Sequence, residues 1–120
     1  MVHYIIFFTN VLRLLEEQGL TKHELSARAD VSLSFVSDIT RGTGNPSIKV
    51  MEKIAAALET PLPFLLECTD MPRDALDRLA GGKFFRSVPD GYQRVSAVVS
   101  DYHAFLVSVY AEQAQEQLQR

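Results

Sequence analysis

A single cysteine, Cys68, leaves no internal disulfide to be formed in this chain of 120 residues, and it reads as a small apolar residue. The three histidines, His3, His23 and His103, are too scattered to suggest a metal cluster. Basic charge is scarce as well. With 12 lysines and arginines against 15 acidic residues, the formal charge of −3 argues against a protein that coats polyanions without discrimination, while leaving room for a small basic face on an acidic body. No apolar run is long. Met1 to Phe8 lacks the positive leading region of a signal peptide, and Asn10 and Arg13 interrupt it before a bilayer could be crossed, so the chain is expected to be cytoplasmic with no membrane partner. No nucleophile, base and orienting group recur at a catalytic spacing, so no enzymatic activity, metal or cofactor is expected.

What is present is 47% apolar and 22% charged, which excludes disordered and fibrous classes and suits one modest core, or a small domain with an appendage. Phe8, Val11, Leu12 and Leu15 recur at i, i+3, i+4 and i+7 and predict a helix that Gly19 ends through a left-handed cap. Thr21 offers an N-cap oxygen and Glu24 completes a capping box, so a second helix opens there with Leu25 and Ala29 inward, and with small Ala27 and Ala29 allowing a neighbour to approach. Asp30-Val31-Ser32 interrupts the pattern. Ser32 caps a third helix that turns Val36 and Ile39 to the core and Leu33, Ser34, Ser37 and Asp38 outward. Arg41 to Pro46, with two glycines and a proline, is a loop. Ser47 to Leu58 resumes helical period through Val50, Ile54 and Leu58, with Met51 and Ala55 widening the stripe, and Pro61 to Leu66 forms a short fifth helix.

Two short helices joined by a tight turn, the second polar on its outer face, form the arrangement that carries a helix into a DNA major groove. Leu12-Arg13-Leu14 (compressed by one residue), Gly19-Leu20-Thr21, Glu24-Leu25-Ser26, Val31-Ser32, Val36-Ser37 with Ile39, Arg41-Gly42 and Asn45-Pro46-Ser47 follow one another as in the Xre/Cro/C1-type helix-turn-helix family, which this stretch resembles. The resemblance implies a five-helix lambda-repressor-like domain over residues 1–68 that binds double-stranded DNA. By position it implies that Leu33, Ser34, Ser37 and Asp38 meet base edges while Lys22, Arg41, Asn45 and Lys49 hold phosphates. Leu33 suits a thymine methyl, Ser34 and Ser37 suit several bases, and Asp38 suits a cytosine amino group. That face lacks an arginine or glutamine for a two-pronged base contact, so recognition is expected to lean on phosphate clamping and DNA shape.

Plainer readings stand beside these. Asp38 can pair with Arg41 at i+3 on the helix surface. Lys22, Arg41 and Lys49 can be solvated charges, a reading that is weakest for Lys49, because a cation in a helix's first turn opposes the dipole unless a phosphate lies nearby. Many family members place an arginine and a glutamate, joined in a partly buried ion pair, where this chain has Leu15 and Thr40. Losing one partner of such a pair costs about 3–5 kcal/mol, whereas the joint replacement fits an intact fold.

Beyond Cys68 the texture changes. Thr69 to Pro72 opens a short helix through Leu79 that Gly81-Gly82 ends, a helical linker over residues 69–83. After Phe84, Phe85 and Val88, Pro89-Asp90-Gly91 marks a turn, and Tyr92 to Val99 places Val95, Ala97 and Val99 on one strand face. A lone strand lacks backbone partners, so the same strand of a second copy is the expected mate, in an antiparallel ribbon about a two-fold axis. Ser100 or Asp101 caps a terminal helix that is apolar on nearly every side from Tyr102 to Ala111, which implies cover from another subunit.

The run Val88 to Val98 followed by that helix resembles the C-terminal dimerisation domain of KorA-like repressors of IncP conjugative plasmids. Its union with an Xre-like half resembles TrbA-type regulators of conjugative transfer. The resemblance implies a strand-plus-helix dimerisation domain over residues 84–120, with Tyr92, Val95, Ala97, Val99, Tyr102, Phe105, Leu106 and Val109 in the interface. The expected fold is therefore mainly α, a five-helix DNA-binding domain followed by that small domain. The implied function is a homodimeric repressor of transfer operons on a palindromic operator, with other plasmid regulators as further partners. The rival readings are an antitoxin-type autoregulator whose C-terminal part binds a partner protein, a ribbon reader using Gln93 and Arg94, and a small-molecule sensor.

Overall fold

The computed structural model describes residues 2–85 and 87–119, and all regular structure among them is helical. Helix α1 spans Val2–Gln18, α2 Lys22–Ala29, α3 Leu33–Thr40, α4 Ile48–Ala57, α5 Leu62–Leu65, α6 Arg73–Ala80 and α7 Asp101–Leu118. Serine or threonine caps four of the helix starts, each side chain accepting from the amide three residues on: Thr21 from Glu24, Ser32 from Phe35, Ser47 from Val50 and Ser100 from His103.

Helix α1 begins six residues before Phe8, and its buried face runs through Phe7, Val11 and Leu15, with Ile6 and Asn10 beside it. Leu12, expected in the stripe, is exposed, and Phe8 is only half-buried. The stripe is rotated by one residue because the aromatic at position 7 fills the bundle centre. Phe7, Val11, Leu15, Leu25, Ala29, Val36, Ile39, Ile54, Ala55, Leu58 and Leu65 form one core cluster from α1 to α5. Each large aliphatic or aromatic side chain so buried contributes about 1.5–3 kcal/mol relative to exposure. Ala27, by contrast, is exposed.

Two side-chain amides, that of buried Asn10 and that of exposed Gln18, lock the bundle. Asn10 Nδ2 donates to the Leu65 carbonyl at 2.8 Å and to the Glu67 carbonyl at 3.0 Å, joining α1 to the end of α5. Gln18 Nε2 donates to the Leu58 carbonyl at 2.8 Å, satisfying the end of α4. Helix α6 packs against α1 with Leu76 buried, and Arg13 pairs with Asp70 across the same seam. Cys68 is half-buried there. Burial pushes its thiol up, and the Asp70 charge pushes the same way, so the sulfur is held protonated.

The strand expected at Tyr92 to Val99 is absent, and with it the strand-plus-helix domain: the described residues contain no strand. Its alternating apolar residues provide strand propensity, but no other described segment supplies a strand to pair with, and a ladder needs two. The stretch runs irregular and exposed after a turn in which the Tyr92 amide donates to the Pro89 carbonyl and Gly91 sits at φ +90°. Helix α7 is as expected in kind and cap, and it continues seven residues past Ala111.

Candidate nucleic-acid interface

The geometry begins with the turn between α2 and α3. Glu24 and Thr21 exchange reciprocal cap bonds that fix where α2 starts, and Leu25 and Ala29 bury its inner face. Asp30 then takes a left-handed conformation, φ 54° and ψ 48°, with its amide on the Ser26 carbonyl, and Ser26 Oγ donates to the Val31 carbonyl. An aspartate tolerates this region because its short side chain can bond locally. The turn delivers Ser32 as the cap of α3.

On α3, Val36 and Ile39 are fully buried, which forces the opposite face outward. Ser34 is exposed, while Leu33, Ser37 and Asp38 are half-buried. Thr40 is buried yet satisfied, its hydroxyl donating to the Val36 carbonyl at 2.9 Å and the Ser37 carbonyl at 3.1 Å. Leu15 is buried too, so both of these neutral positions are closed to solvent.

Asp38 is a junction. Its backbone carbonyl accepts from the Thr43 amide at 3.0 Å, the Gly44 amide at 3.2 Å and Thr43 Oγ1 at 3.1 Å, which ties the following loop to α3. Its carboxylate accepts from Arg41 Nη2 at 2.9 Å. The i+3 pair of Asp38 with Arg41 is present.

Beneath the loop lie Tyr4 and Phe8, with ring centroids 6.0 Å apart. Gly42, at φ +76°, passes so near that a Cβ there would meet Phe8 Cε1 at 3.1 Å, and one on Gly44 would meet the Tyr4 hydroxyl at 3.0 Å. The Tyr4 oxygen is buried and makes no hydrogen bond of ordinary geometry among the described residues, with the Gly44 backbone its nearest polar neighbour; burial pushes its hydroxyl up, that backbone group pulls it back, and the Asp38 charge adds to the rise. The aromatic pair four residues apart, facing a two-glycine loop, is the supporting element that reading the sequence missed. Its signal was there, in Tyr4 and Phe8 on one helical face.

The remaining cationic and polar candidates are all exposed: Lys22 in the first turn of α2, Lys49 in the first turn of α4, and Asn45 in the loop between α3 and α4. Helix α4 packs against α2, so both helix starts belong to the same packed unit. The dimer candidates lie elsewhere. Val95, Ala97, Val99, Tyr102 and Phe105 are exposed, Tyr92, Leu106 and Val109 half-buried, and Tyr92 Oη donates to Gln117 Oε1 at 3.0 Å.

Comparison with known proteins matches residues 11–65 to the family model described as Helix-turn-helix. An uncharacterized HTH-type transcriptional regulator, y4dJ, from Sinorhizobium fredii is 36% identical over 62 residues, covering 52% of this chain and 80% of that protein. The transcriptional regulator ClgR of Mycobacterium tuberculosis is 43% identical over 49 residues, covering 41% of this chain and 44% of ClgR. Among solved structures, a point mutant of the restriction-modification controller protein C.Esp1396I shares the fold at TM-score 0.51 and 20% identity, over 65% of this chain and 90% of that one. The chain belongs to the Xre/Cro-type helix-turn-helix family of transcriptional regulators.

Proposed function

We propose that this chain is a homodimeric, sequence-specific DNA-binding repressor that acts on an inverted-repeat operator. One observation carries the reading: α3 is capped at Ser32, buried along Val36 and Ile39, and turned so that Ser34 faces solvent. Leu33 then meets a thymine methyl and Ser34 and Ser37 bond to base edges. Lys22, Asn45 and Lys49 hold phosphates, where the amides at the starts of α2 and α4 add to the attraction.

The homodimer is supported by α7, in which no residue is buried although Tyr102, Phe105, Val107 and Tyr110 are each more than half exposed. Tyr102, Phe105, Leu106 and Val109 form the interface in this reading, joined by Tyr92, Val95, Ala97 and Val99 of the preceding irregular segment. Two copies place two recognition helices about 34 Å apart, one turn of DNA, or a multiple of it. Occluding a promoter by such binding requires no catalytic group. The Pro89-Asp90-Gly91-Tyr92 turn with Arg94 and Val95 supports control of conjugative plasmid transfer operons, in the manner of KorA-like and TrbA-type regulators.

Selection of bound sites from a random duplex library tests the proposal. Enrichment of a two-fold symmetric site with half-sites one or two helical turns apart is the expected result. Enrichment of single unsymmetric half-sites would remove the dimer, and a monomer that pairs only with a second protein would favour the antitoxin-type reading.

A further inference from the structure

Asp38 and Arg41 sit at the C-terminal end of α3 in an arrangement that neither a base contact by Asp38 nor a phosphate contact by Arg41 uses. Arg41 Nη2 donates to Asp38 Oδ1 at 2.9 Å, and Arg41 Nε donates to the Ser37 carbonyl at 3.3 Å. Both bonds fall on one edge of the planar guanidinium. Its other edge, formed by Nη1 and the outer hydrogen of Nη2, takes part in neither of these bonds. The pair lies on the surface, with the Arg41 side chain 65% exposed and that of Asp38 45% exposed. Asp38 is itself immobilised by the three bonds its carbonyl accepts from Thr43 and Gly44.

A guanidinium already paired with a carboxylate offers a phosphate little unbalanced charge and releases few counterions on binding. A flat fork held from behind is, by contrast, what a two-pronged contact to the O6 and N7 of guanine requires. A carboxylate facing DNA without a cation beside it would also be repelled by the phosphates. We propose that Arg41 reads a guanine in each half-site and that Asp38 is the positioning residue that aims it, replacing the phosphate role of Arg41 and the base role of Asp38. The inference rests on α3 being the recognition helix.

The full-length protein, Arg41→Lys and Asp38→Asn are compared by library selection, by affinity for operators substituted at each guanine, and by the salt dependence of binding. The wild type is expected to select one guanine per half-site whose replacement costs about ten- to hundredfold in affinity. Arg41→Lys keeps the charge but loses the fork, so it flattens that preference while leaving the salt slope in place. Asp38→Asn weakens the same preference and steepens the salt slope, because it frees a cation. Unchanged thermal unfolding of both variants separates these effects from misfolding. Arg41→Lys with wild-type preference, or Asp38→Asn with no change at the guanine, overturns the proposal. A wild type that enriches an operator with no guanine dependent on Arg41 sinks this inference alone, whereas one that enriches no sequence brings down the recognition-helix reading with it.

Discussion

The two halves of this molecule use similar apolar residues to opposite ends. From Ile6 to Leu65, aliphatic and aromatic side chains close on one another until nine of them are less than 2% exposed. After Leu76 no described residue is buried at all, although Phe85, Val95, Val98, Tyr102, Phe105 and Tyr110 are as apolar as anything in the bundle. The radius of gyration, 17.0 Å, exceeds the about 14 Å of a close-packed domain of this length, as expected when one part is not folded onto the rest. Burial depends less on hydrophobicity than on whether other elements of the chain arrive to share it. The first region satisfies itself, and the second presents a surface.

That contrast is most sharply broken by Phe105→Asp. In a two-fold interface it would bury an unpaired carboxylate from each copy, at about 3–5 kcal/mol apiece, so a sedimentation measurement should find monomers and operator binding should collapse. The bundle should be untouched. If the full-strength dimer persists, α7 is not the interface. Phe7→Ala in the first region is expected to cost about 3–5 kcal/mol in denaturant unfolding, through lost transfer energy and a cavity at the bundle centre. A loss below 1 kcal/mol would show that the core repacks freely. The two variants also differ in kind, since destabilisation from the core should not depend on protein concentration, while loss of a dimer contact should make the thermal midpoint lose its concentration dependence.

A smaller effect is expected from Asn10→Ala. It leaves the Leu65 carbonyl buried without its donor, at about 1–3 kcal/mol, and an unchanged unfolding midpoint would mean that water replaces the amide. Smallest is Lys49→Ala, which should alter stability by no more than about 0.5 kcal/mol yet flatten the salt dependence of DNA binding by about 0.9 for each lost phosphate contact. An unchanged slope would return Lys49 to the solvated charges.

Most of the first region was legible before any coordinate. Gly19, the Thr21 and Glu24 box and Ser32 act within one turn of their own position, so short-range rules fix them. Leu12 was misread because periodicity locates a stripe only to within a neighbouring residue, and the choice between Phe7 and Phe8 falls to the elements packed against α1. The strand at Tyr92 to Val99 was misread for a related reason: alternation describes one side of a pairing, and the described residues offer no other side. On α3, the outward residues were legible from Val36 and Ile39. The bond between Asp38 and Arg41 was only one of two options, and the aromatic support under Gly42 and Gly44 was not read at all.

The sequence by itself determined where helices start and stop, which face of α3 is polar, and which family the first half joins, because caps, turns and periodicity are local interactions between residues a few positions apart. Only the tertiary structure decided which of two adjacent phenylalanines fills the core, that the loop after α3 rests on Tyr4 and Phe8, and that α7 stays uncovered. Those outcomes depend on contacts between segments distant in the chain, whose energies are set by shape and mutual exclusion of water, and no single segment carries that information.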